Sequence, residues 1–100
     1  MFLNEITSRI TMVMTVRIPK EGVADFLEYE EKVLPLLAQH KGTLERRLSN
    51  DDGTIEVHIL SFESEQAFEG YCYDPKRLEY TSIFDKSGAQ TELMHLTDVV

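Results

Sequence analysis

The chain has 100 residues, of which 42% are hydrophobic and 28% charged, with no tryptophan and one cysteine. That length supports one domain burying roughly 65% of what its unfolded chain exposes, and the composition excludes a disulfide scaffold, a collagen-like or disordered chain and a membrane protein. Eighteen acidic against ten basic residues leave a formal charge of −8, and a field of that sign repels phosphate backbones and anionic lipid, so neither nucleic acid nor a membrane is expected as a partner.

Residues 1–8 read as an N-terminal arm. Its apolar start, Met1 Phe2 Leu3, is interrupted by Asn4 and Glu5, which gives neither the charged n-region nor the long h-region of a signal peptide. A cytoplasmic location is the expectation, and the lone Cys72 agrees, because small secreted domains use cysteines in even numbers. Residues 9–100 contain no repeat or linker and read as one domain.

From Arg9 the pattern alternates, with Ile10, Met12, Met14, Val16 and Ile18 on one face and Thr11, Val13, Thr15 and Arg17 on the other; this predicts a strand that Pro19 ends. After Lys20 the period becomes helical. Val23, Phe26, Leu27, Val33, Leu34, Leu37 and Ala38 form one stripe, in which Glu30 is the single poor fit. Pro35 should kink this helix near Glu31, and Gly42 should stop it.

Two runs, Thr43 to Ser49 and Thr54 to Phe62, flank Asn50 Asp51 Asp52 Gly53, which is hairpin-turn chemistry. An even loop places Leu44, Arg46 and Leu48 on the face of Ile55, Val57 and Ile59, the expected helix side. Glu45, Arg47 and Ser49 then share the other face with Glu56, His58 and Leu60. Ser64 can cap a short helix carrying Ala67, Phe68, Tyr71 and Cys72, and Asp74 followed by Pro75 restarts helix to about Lys86 before Gly88. A last strand runs from about Thr91 to Val99. The order βαββαβ predicts an α+β, ferredoxin-like fold, a four-stranded antiparallel sheet with both helices on one face. The other face, with Val13, Leu60 and Phe62, then needs a second subunit as cover.

The stretches Tyr29 to Gly42 (YEEKVLPLLAQHKG) and Ser61 to Phe68 (SFESEQAF), ahead of Asp74 Pro75, resemble the dimeric α/β-barrel superfamily that includes the antibiotic-biosynthesis monooxygenase-like proteins. The resemblance covers the chain from about residue 9 onward. It implies a homodimer whose two sheets enclose a barrel, with a pocket in each subunit. It also implies activities such as cofactor-free monooxygenation of aromatic or polyketide substrates, isomerisation or haem handling. The monooxygenases use tryptophan, asparagine and histidine in the pocket; here there is no tryptophan, and Asn4 and Asn50 lie in the arm and the turn.

His58 is the expected catalytic residue, a proton carrier on a central strand. Arg47 or Glu45 pairs opposite it, and Arg17 from the first strand shares its face, so an anion such as an enolate could sit between Arg17 and His58. Phe62 and Tyr71 complete the substrate-binding set with Arg17 and Arg47. The bland reading of the charged groups is an interface or surface ion-pair network with Glu45 and Glu56. Tyr29, Tyr71, Tyr73, Tyr80, Phe68 and Phe84 either wall an aromatic-ligand pocket or pack as core. Cys72 reads as a small core residue, and His95 is open to either face. No metal site is expected, because the three histidines lack ligand spacing and Asn50 to Gly53 reads as a turn rather than a calcium loop. Without a glycine-rich phosphate cradle, no nucleotide cofactor is expected. The expectation is a homodimer holding a small organic ligand, with cofactor-independent catalysis; the alternative is a non-catalytic or structural dimer.

Overall fold

The computed structural model describes residues 9–99; the expected arm at 1–8 lies outside them. The strands are β1 (Ile10–Arg17), β2 (Gly42–Ser49), β3 (Ile55–Phe62) and β4 (Gln90–Leu96), paired antiparallel in the order β2-β3-β1-β4. Helices α1 (Val23–Val33), α2 (Glu65–Cys72), α3 (Pro75–Glu79) and α4 (Thr81–Ser87) pack on one side of the sheet. The fold is ferredoxin-like, as the element order predicted.

Local chemistry explains the boundaries, including two that shift. The Ser64 hydroxyl accepts from Ala67 N–H at 3.1 Å and the Asp74 carboxylate from Lys76 N–H at 2.8 Å, so both predicted caps form. The helix expected to run to about Lys86 instead breaks at Tyr80, where α3 gives way to α4. Pro35 does not kink a continuous α-helix. The winding tightens to 3-10 over Leu34–His40, and this segment ends at Lys41 in the left-handed region (φ 56°), which frees Gly42 to begin β2. Gly42 is needed there for another reason: a Cβ would lie 2.6 Å from the Phe62 ring.

The largest correction concerns facing. His58 pairs with Met14, Leu60 with Met12, Phe62 with Ile10 and Glu56 with Val16, and this places the set expected on the bare face beneath the helices instead. Ile55, Val57 and Ile59 take the bare face. The grouping by alternation was right for β3, but both parities of that strand carry apolar residues, so only pairing with β1 tells which one is covered. In β2 an irregularity between Leu44 and Arg46 leaves Leu44 on the helix side and puts Arg46 and Leu48 on the bare side. Arg17 stays on the bare face, so the sheet separates it from His58 and the predicted anion site between them does not form.

One buried cluster joins Ile10, Met12, Leu60 and Phe62 to Leu36, Leu37 and Tyr71; a second joins Val16, Ile18 and Phe26. Gly22 seats the start of α1 against the end of α4, where a Cβ would fall 1.8 Å from the Ser87 carbonyl oxygen. Since that neighbour is backbone and cannot swing aside, Gly22→Ala is expected to destabilise by about 3 kcal/mol. A urea midpoint that falls with an unchanged slope is the signature, and an unmoved midpoint would refute the close approach.

Candidate functional site

Between the two clusters the sheet and helices part around a cavity of about 380 Å³ with mostly apolar walls, a size suited to a small organic ligand. Tyr29, Phe68, Tyr71 and Phe84 line it; Tyr73 is 75% exposed, and Tyr80 sits under the Lys32 ammonium instead. Cys72, expected in the core, lines the cavity half-buried, and burial pushes its thiol up. Phe62 is not in the lining but stands behind it, tilted against Tyr71 at 5.8 Å between centroids. His95 proves to lie on the helix side, opposite Met12, and is exposed.

His58 enters the cavity floor from β3 with 1% of its surface exposed. Its Nε2 lies 2.7 Å from Glu56 Oε1, two residues along the same side of the strand. Arg47, paired across the hairpin with His58, donates Nε and Nη2 to the two Glu56 oxygens at 2.8 and 3.1 Å. Burial pushes the Glu56 carboxyl up, but the hydrogen bonds from Arg47 and His58 outweigh it and hold it below the usual carboxylate range. Glu56 is therefore ionised near neutrality and can only accept. It follows that Nε2 carries the proton and the neutral ring presents a bare Nδ1 lone pair.

That Nδ1 is buried without a hydrogen-bond partner. Facing it at 3.7 Å is the Oε2 atom of Glu30, 3% exposed on α1. Burial raises the Glu30 carboxyl to about 7, with Glu56 adding and Arg47 and Arg77 opposing. Burial also lowers the His58 imidazole below its ordinary value, with Glu56 offsetting part of the effect. A neutral base and a half-protonated acid thus meet at the cavity floor near pH 7, and their titrations are coupled. Such a pair can take a proton from a ligand and pass it on.

Of the residues expected at the site, His58 and Tyr71 line the cavity; Arg47 lies outside the lining and reaches His58 through Glu56, Phe62 stands one layer behind, and Arg17 is on the other side of the sheet. Glu30 and Arg77 line the cavity as well, and Glu56 holds His58 from outside the lining. Glu30 had a signal in the sequence, a carboxylate inside an otherwise apolar helical stripe. Arg77 had none, since its short helix follows no periodic pattern.

No family model and no curated protein matches the chain by sequence. Solved structures do match by shape. SnoaB, a cofactor-independent oxygenase from Streptomyces nogalater, superposes with a TM-score of 0.71 at 18% identity over 93% of this chain and 95% of that one. A Bacteroides thetaiotaomicron protein provisionally assigned as an antibiotic biosynthesis monooxygenase gives 0.77 at 12% identity over 94% and 92%. A nipsnap family protein of unknown function from Agrobacterium tumefaciens gives 0.65 at 16% identity over 88% and 87%. At these identities the likeness carries the fold and no activity. The chain has the fold shared by these solved structures, antibiotic-biosynthesis monooxygenase-like proteins among them.

Proposed function

We propose that this protein binds a small aromatic or enolisable molecule between its sheet and helices and oxygenates it without a cofactor, His58 acting as the base. The observation that carries the reading is the unpartnered Nδ1 of a buried histidine, aligned through Nε2 by Glu56, at the floor of an apolar cavity. Nδ1 takes a proton from an acidic C–H or O–H, leaving an anion electron-rich enough to reduce dioxygen. One oxygen atom enters the substrate and the other leaves as water, so a CH2 group becomes a C=O group with no further reductant. Arg47 holds Glu56 ionised throughout, and Glu30 receives or returns the proton. The shape shared with SnoaB supports oxygen chemistry by analogy only.

The test is oxygen consumption with a panel of anthrone-like and hydroxyaromatic compounds, together with the thermal shift each produces. A binder of the folded form raises the melting temperature by mass action, and turnover should consume one dioxygen per product. A panel with neither shifts nor oxygen uptake would end the proposal. A second reading, ligand binding without turnover, draws on the bidentate Arg47–Glu56 pair, which would also serve as a stabilising network; shifts without oxygen uptake would favour it.

The reading includes a homodimer closed over the bare face. Val13, Val57, Ile59 and Met94 form the apolar centre of that face, with Leu48, Ile55 and Leu96 exposed around it. Sedimentation at micromolar concentration is expected to show a dimer, and Ile59→Glu to dissociate it by placing a charge at the centre. A wild-type monomer would refute this part while leaving the cavity in place.

A further inference from the structure

Arg77 projects from α3 into the same cavity as His58 and Glu30. Its guanidinium lies 4.9 Å from the Tyr71 ring centre, and Nη1 donates to the Cys72 carbonyl at 3.3 Å. Its Nε is buried with no acceptor, and among the described residues no carboxylate pairs with it. In a chain with eight surplus negative charges, a part-buried guanidinium whose Nε has no acceptor is an exception that needs a reason. The acids nearby are committed elsewhere. Asp74 gives one oxygen to His40 at 2.6 Å and the other to the Lys76 N–H, and Glu30 faces His58.

We propose that Arg77 is the anion-binding residue of the cavity and that the ligand it selects is a planar aromatic carboxylate, its carboxylate on the guanidinium and its ring against Tyr71. The inference rests on the cavity being the ligand site, as in the function proposed above. A guanidinium offers a flat pair of donors that matches a carboxylate. A more highly charged phosphate is disfavoured, because Glu30 and Glu56 lie near the cavity floor and a single cation would leave it half neutralised. The Tyr71 ring and the Cys72 carbonyl hold the Arg77 guanidinium without a carboxylate partner, so the ion pair forms only when the ligand arrives. Arg77 would therefore set which molecules enter, and His58 what happens to them.

The probes are 3-hydroxy-2-naphthoate and its neutral carboxamide, with binding followed by naphthalene fluorescence at pH 8. The wild-type protein should bind the carboxylate about tenfold more tightly than the amide. Arg77→Met should abolish that preference, bringing carboxylate affinity down to that of the amide, and His58→Gln should retain it. Where the methionine variant unfolds, Arg77→Gln serves with the same expected loss. Equal affinity of the wild-type protein for the two probes, or a preference that survives the loss of Arg77, would overturn the assignment and leave the cavity and its base standing. Failure of both probes to bind would instead remove the cavity as a ligand site and this inference with it.

Discussion

Replacing His58 with glutamine is expected to lower turnover of a found substrate by about 10²–10⁴-fold, the range lost with a positioned general base, while the fold and the dimer persist. The variant is chosen for its geometry. A glutamine amide reaches about where Nε2 stands and can still donate to Glu56, whereas nothing replaces the lone pair of Nδ1. Alanine would be a poorer test, because it also opens a void in the cavity floor and strips Glu56 of a donor. The pH profile supplies a second readout. Burial lowers the His58 imidazole, so the acid limb of the wild-type rate should fall below the ordinary histidine range, and in the variant that limb should vanish. A glutamine variant with wild-type rates and an unchanged limb would remove His58 from the chemistry.

Glu30→Gln should make the protein more stable than wild type at pH 8 by about 3 kcal/mol relative to the difference between them at pH 4.5. Unfolded Glu30 ionises near 4.5 and folded Glu30 near 7. Between those values the unfolded chain binds fewer protons than the folded one, so stability falls as pH rises through the window and levels off above it. Glutamine keeps the shape and cannot ionise, and its variant should lack that decline. His58 pulls the other way within the window, since its lowered folded value costs stability as pH falls; it is present in both proteins, so the comparison isolates Glu30 apart from their coupling. Urea midpoints at several pH values decide the matter, and parallel curves would show a Glu30 carboxyl with an ordinary titration. The stability that Glu30 withholds at pH 8 fits a group kept for its proton rather than for packing.

The element order was legible in the sequence because its signals are local. Alternation from Ile10 to Arg17, the Asn50 to Gly53 turn, the Ser64 and Asp74 caps and the Gly88 stop each act within a few residues, and each forms in the structure. An even hairpin loop put His58 on one face with Arg47 and Glu45 but left open which of the two stands opposite it, and the observed register selects Arg47. Which side of the sheet they occupy was not a local matter. Ile59 and Leu60 are both apolar and adjacent, so β3 presents two acceptable faces, and only its register with β1 buries Glu56, His58, Leu60 and Phe62. That choice moved the site from the bare face to the space under the helices and left Arg17 behind. The partners that give the histidine its chemistry, Glu30 from α1 and Arg77 from α3, come from distant parts of the chain. Burial, which shifts their titration, is a property of the packed molecule, so the order of elements was written residue by residue while the acid, the base and the unpaired cation met only on folding.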